Sequence, residues 1–155
     1  MMAKLNSSML YKSSNTVTPI LTTKFDIVLF DGVSSFSNHY INYVIVHDKA
    51  NRFVFAPLQS NSAYHLASLY QIDLQRLNGI AVVHNDKVYT KSSAVIHILK
   101  NLDAWWRPLA YLAYILPPFI RNYLYTAFIN KRRATFSESE SYIVPTVHIK
   151  SKFLS

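Results

Sequence analysis

The sequence predicts an α/β fold: a four-stranded mixed sheet flanked by helices, with an added helical segment on the C-terminal side. Three observations carry that reading. Short β-branched and aromatic runs alternate with longer segments whose apolar residues recur every three or four positions. The last two runs are separated only by a pair of turn-forming residues. The chain has 155 residues, half of them apolar, which is enough for one domain with a real core and too apolar for disorder.

The elements follow in order. Phe25–Phe30 is a β-branched and aromatic run closed by Asp31-Gly32, and it reads as a buried strand. Val33–His47 carries Phe36, Tyr40, Ile41, Val44 and Ile45 at helical spacing, with Ser34 or Ser37 able to cap its first turn. Arg52–Ala56 is a second strand, closed by Pro57. Ser60–Tyr70 is a second helix, capped by Ser60 or Ser62, with Tyr64, Leu66, Leu69 and Tyr70 expected inward.

Gly79–His84 and Lys87–Thr90 form a hairpin around Asn85-Asp86. Ser92 or Ser93 is the expected cap of a helix over 94–102, with Val95, Ile98, Leu99 and Leu102 on one face. Two further helices, 105–116 and 119–131, are separated by Pro117-Pro118. The right-handed crossover rule makes the first two strands parallel neighbours. Strand–helix–strand followed by a hairpin and a helix is the thioredoxin arrangement. Residues 1–23 read as a flexible leader, 24–136 as the domain and 137–155 as a tail packing on it.

Composition excludes some classes of function. With no cysteine, the chain has no disulfide, no thiolate nucleophile and no cysteine metal site. The net charge is +8, and residues 104–155 hold +5 of it. That bias suits an acidic partner, nucleic acid or an anionic membrane surface, although a solvated basic face explains it with less. The most apolar stretch is the 13 residues between Arg107 and Arg121. A spanning helix needs about 20, so this is read as a buried or interfacial helix. No secretory signal is visible in residues 1–20, and the cytoplasm is the expected location.

Several segments together resemble a known family. Val28-Leu29-Phe30-Asp31-Gly32-Val33-Ser34-Ser35-Phe36-Ser37 is similar to the signature of the DCC thiol-disulfide oxidoreductases, in which an Asp precedes Cys-x-x-Cys. Asp31 matches the Asp, and Ser34 and Ser37 occupy the two cysteine positions. Phe53–Ser60 resembles the family's second-strand segment, including Pro57. Tyr89-Thr90-Lys91-Ser92-Ser93-Ala94 resembles its Tyr-Thr-x-Ser-Asp-Ala, with Ser93 in place of Asp. Arg121, Tyr125, Arg132 and Phe136 fit its C-terminal helix, where Asn122 replaces an Asp and Ser137 a Gly. Tyr142 stands where the family often has a third cysteine. The resemblance covers about residues 26–154.

The resemblance implies a thioredoxin-like fold and an ancestral thiol-disulfide exchange site at Ser34, Ser37 and Asp31. It also implies binding roles for Pro57, Ser92, Arg121, Tyr125 and Arg132. At a helix start, free N–H groups and the dipole would favour a thiolate. Serine keeps the capping ability and loses the chemistry, because it neither ionises near neutral pH unaided nor forms a disulfide. Serine catalysis is not expected either. His39 lies two residues from Ser37 and points away on a helix, and there is no Gly-x-Ser-x-Gly elbow.

The remaining candidates have bland readings. The six histidines make no His-x-x-x-His pair, so no metal and no cofactor are expected, and single histidines read as packing or surface residues. Lys131-Arg132-Arg133 suits phosphate contacts, but it also suits any helix C-terminus. Trp105-Trp106 with Tyr111 and Tyr114 suits the lining of a groove or an oligomer interface, but core packing is the simpler account. The expected function is therefore a redox-inactive module of the DCC type that binds a protein or peptide. One rival is an active oxidoreductase whose cysteines were exchanged for serine. The other is a basic protein that binds nucleic acid or membrane.

Overall fold

The computed structural model describes residues 22–32, 35–77, 79–103, 105, 107–135 and 152–154, with the backbone alone at 35–38 and 132–135. The elements are β1 (Asp26–Phe30), α1 (Ser35–His47), β2 (Phe53–Pro57), α2 (Asn61–Tyr70), β3 (Ile80–His84), β4 (Lys87–Thr90), α3 (Lys91–Asn101), α4 (Arg107–Ile115) and α5 (Pro118–Thr135). The sheet order is β2-β1-β3-β4. β1 runs parallel to β2, with Asp26 opposite Phe53 and Phe30 opposite Pro57. β3 is antiparallel to β1 and to β4. This mixed four-stranded sheet with helices on both faces is the thioredoxin-like α/β fold, carrying α4 and α5 as its C-terminal helical addition.

β1, β2 and most of β3 are buried on both faces, so their side chains feed two cores by simple alternation. Ile27, Leu29, Val54, Ala56, Ala81 and Val83 meet α2 through Ala63 and Leu66. Val28, Phe30, Phe53, Phe55, Ile80 and Val82 meet Ile41 and Val44 of α1 and Ala94, Ile98 and Leu102 at α3. Full burial of each large side chain contributes about 1.5–3 kcal/mol.

The β3–β4 turn forms at Asn85-Asp86 as the sequence predicts. Both residues take positive φ, 46° and 59°, the double left-handed geometry of a type I′ hairpin without glycine. Gly79 has φ +113°, which is why β3 begins at Ile80 and not at Gly79.

Other expectations are corrected. α2 buries Ser62, Ala63, Leu66 and Ala67 and exposes Tyr64 and Leu69, because small residues let the helix approach the sheet closely. Its cap is Ser60, whose Oγ accepts from Ala63 N at 3.2 Å. α3 starts at Lys91, so Ser92 and Ser93 lie inside it and cap nothing; the N-cap is Thr90, without a side-chain bond. α3 buries Ala94, Ile96 and Ile98, with Val95 and Leu99 only partly covered. α1 is described from Ser35 onward, and the expected start at Val33 lies outside the described residues. α4 buries only Ala110, and Trp105 just before it is 75% exposed, so neither belongs to the core.

Near the C-terminus, Phe153 bridges to Phe55 as a parallel strand fragment. Phe55 N donates to Lys152 O and Leu154 N to Phe55 O, each at 2.8 Å, which covers the open edge of β2.

Candidate functional site

The end of β1 and the start of α1 form the junction where the resemblance places a reactive pair. Asp31 follows β1 directly, and its carboxylate accepts from Gln59 Nε2 at 3.2 Å. Pro57 is buried at the end of β2, opposite Phe30. Strand register therefore brings Asp31 and Pro57 to one end of the sheet. Ser37 lies in the first turn of α1, where N–H groups point outward without intrahelical partners. Ser34 and the Phe36 and Ser37 side chains lie outside the described residues, as do the Arg132 side chain, Phe136, Ser137 and Tyr142.

β3 begins and β4 ends at that same end of the sheet, because Ile80 pairs with Phe30 and Ala81 with Thr90. The first turn of α3 therefore lies there too. Its Ser92 Oγ donates to Asn122 Oδ1 of α5. The Tyr125 hydroxyl sits against Gly79, where a Cβ would collide with it. Of the predicted binding residues, Ser92 and Tyr125 thus hold α5 to the domain, whereas Arg121 turns into a separate cavity.

A second cluster occupies the opposite end of the sheet, and the sequence reading missed it. Asp26 opens β1 and is 1% exposed. Its Oδ2 lies 3.1 Å from Arg52 Nε and 3.1 Å from His97 Nε2 on α3, and its Oδ1 meets His84 Nδ1 at the end of β3. Tyr89 stacks on His97 with ring centroids 4.6 Å apart. Two of the six histidines, His84 and His97, therefore do not stand singly but converge on one carboxylate. Strand register was the available signal. Ile27 pairs with Val83, so one step further Asp26 faces His84. A charged residue opening an otherwise apolar buried strand needs partners.

Asp26, His84 and His97 each offer a ligand atom, all within 4.8 Å of one another, which is enough for a metal ion in spacing alone. The charge argues the other way. The Arg52 guanidinium already holds Oδ2, and Arg52 also donates to Asn101 Oδ1 at 2.9 Å, which fixes it beside the carboxylate. A divalent ion placed there would meet that cation directly.

Residues 28–138 match the DCC1-like thiol-disulfide oxidoreductase family. A chloroplastic DCC family protein of Arabidopsis thaliana is 34% identical over 118 residues, covering 76% of this chain and 69% of that protein. The uncharacterized protein YuxK of Bacillus subtilis is 28% identical over 128 residues, covering 83% of this chain and 93% of that protein. No solved structure matches. The match runs from inside β1 to just past α5 and takes in the whole strand–helix junction, so the chain belongs to the DCC1-like thiol-disulfide oxidoreductase family.

Proposed function

We propose that this protein is a redox-inactive DCC-type module that binds a protein or peptide partner at the β1–α1 end of the sheet. One observation carries the reading: the chain has no cysteine, and Ser34 and Ser37 stand at the motif positions. Exchange needs a thiolate to attack a disulfide and a second thiol to resolve the mixed product. Serine supplies neither. The surrounding frame supports retained binding, since Asp31 and Pro57 still sit together at the strand ends.

The test has two arms. The chain as it stands should fail to reduce insulin disulfides with dithiothreitol as electron donor. A variant carrying Ser34→Cys and Ser37→Cys should form an internal disulfide under mild oxidant and recover measurable reduction. Reduction by the cysteine-free chain would sink the inactive reading. A folded double variant that never closes its disulfide would sink the placement of the motif. Cysteine codons at both positions of the natural gene would favour an active enzyme whose cysteines were exchanged for serine. The cytoplasm is the compartment we propose.

A second reading has its own observation. Among the described residues no helix is long and apolar enough to cross a membrane. Yet α4 and α5 expose Leu112, Ile115, Phe119 and Leu124 between 56% and 78%. Arg107 and Lys131 are exposed on the same two helices. An apolar face with cations beside it suits an anionic membrane surface. Cosedimentation with phosphatidylglycerol vesicles should then fall steeply between 50 and 300 mM salt, about as expected for several lysine and arginine contacts. No binding even at low salt would remove this reading.

A further inference from the structure

Between α3, α4, α5 and the β3–β4 hairpin lies a cavity of about 540 Å³. Arg52, Lys100 and Arg121 line it, together with His84 and His97. Of the three permanent cations, only Arg52 has a carboxylate partner among the described residues, Asp26. Lys100 Nζ lies 4.6 Å from the ring centres of both Tyr111 and Tyr114, and Arg121 lies 5.4 Å from that of Tyr114. A ring face attracts the charge but takes up no directed hydrogen bond.

Arg121 makes the imbalance concrete. Its Nε and Nη1 are buried, and neither has a hydrogen-bond partner among the described residues. A buried guanidinium with two idle donors is costly unless an acceptor fills the space. The two nitrogens point their N–H groups in different directions within the guanidinium plane, so each has room for an acceptor oxygen of its own. Ser93, in the first turn of α3, also lines the cavity and offers a neutral hydroxyl.

We propose that this cavity is a binding site for a small oxyanion, a phosphate or a carboxylate, held by Arg121 and Lys100. Asp26 pairs with Arg52, His84 and His97 but is buried and does not line the cavity, whose lining holds three cations and no carboxylate among the described residues. The tyrosine rings give a planar ligand a wall to lie on. The cavity runs along the helix α3, from Ser93 in its first turn to Asn101 in its last, and its anion-binding role does not rest on the partner binding proposed at the β1–α1 junction.

Inorganic phosphate and succinate are the probes, titrated against the full chain at constant ionic strength with chloride as the balancing anion. Ring signals of His84 and His97, assigned through His→Gln variants, are followed by NMR. Saturable shifts are expected with at least one of the two probes. Arg121→Gln should weaken binding tenfold or more, and Ser93→Asp should abolish it by filling the space with a tethered carboxylate. Lys49→Gln, on an exposed turn, should leave it unchanged. Dispersed amide spectra establish that each variant is folded, and Lys100→Gln, expected to weaken binding several-fold, tests the site without touching Arg121. Three outcomes overturn the proposal. One is no saturable shift from either probe. Another is shifts that survive both Arg121→Gln and Ser93→Asp. The last is stoichiometric Zn²⁺ binding lost in His84→Gln, with no response to either anion, which would make the trio a metal site.

Discussion

Asp48 accepts from the backbone N–H of Arg52 at 2.8 Å and of Phe53 at 3.1 Å, and it pairs with Lys152 Nζ at 2.9 Å. It is 4% exposed, so one carboxylate shapes the turn into β2 and ties down the distant C-terminal segment. Removing one partner of a buried ion pair strands the other, and two N–H donors would lose their acceptor as well. Asp48→Ala should therefore cost about 3–5 kcal/mol in urea denaturation. Lys152→Met keeps both N–H bonds and the aliphatic stem, and should cost about 1–2 kcal/mol. Equal losses would mean that the ion pair alone carries the effect. Asp48 reads in the sequence only as part of a polar break, because its partner lies 104 residues away. Asp26 is hidden for the same reason: its His97 contact spans 71 residues, and spacing rules for metal or catalytic motifs see only local patterns.

The elements were far more legible than these contacts. Strand runs, helix periods and the Asn85-Asp86 turn are local properties, and α1, α2 and the hairpin stand within a few residues of where the sequence places them. What failed was the direction of faces. In α2 the large residues Tyr64 and Leu69 point outward because the sheet admits only Ser62, Ala63, Leu66 and Ala67. In α4 and α5 the apolar period is real, yet it leads to surface, since both sheet faces are already covered by α1, α2 and α3. Where α5 meets the sheet, backbone and side chain interlock at Gly79 and Tyr125. Alanine at position 79 would need φ +113° and would push its Cβ into the Tyr125 hydroxyl. Such a conformation costs a non-glycine residue about 1–3 kcal/mol before the collision is counted. Gly79→Ala should thus lose about 2–4 kcal/mol. Combined with Tyr125→Phe, it should lose less than the sum of the two single changes, as a double-mutant cycle would read. Strict additivity would show that the collision is relieved elsewhere.

At the scale of the whole molecule, the helical addition and the C-terminal segment close the domain from opposite sides. Phe153 and Leu154 enter the two cores and cover the β2 edge, which a three-residue stretch is too short to announce by periodicity. On the other side, α5 brings Tyr125 near Tyr40 and Tyr43 of α1. The Tyr40 hydroxyl is buried there with no hydrogen-bond partner among the described residues. Burial, reinforced by Tyr125 and Tyr43, pushes its ionisation well above the ordinary phenol range. Tyr70 is raised as well, by burial first; its Thr22 contact opposes the shift and Asp86, the acceptor of its hydroxyl at 2.7 Å, adds to it. The sign follows from linkage. Above a pH of about 10 the unfolded chain releases these protons while the folded chain keeps them, so the unfolded state binds fewer and stability falls as pH rises. Below that pH the contribution is fully present. Chemical denaturation between pH 8 and 11.5 should show a midpoint that is flat at first and then declines. Tyr40→Phe removes the group that must stay protonated and abolishes an unsatisfied buried hydroxyl, at no cost in shape. Its stability at pH 8 should equal or exceed that of the parent, and its alkaline decline should be shallower. A parallel decline in the variant would move the cause away from Tyr40, and a large loss at pH 8 would mean that the hydroxyl is satisfied in solution after all.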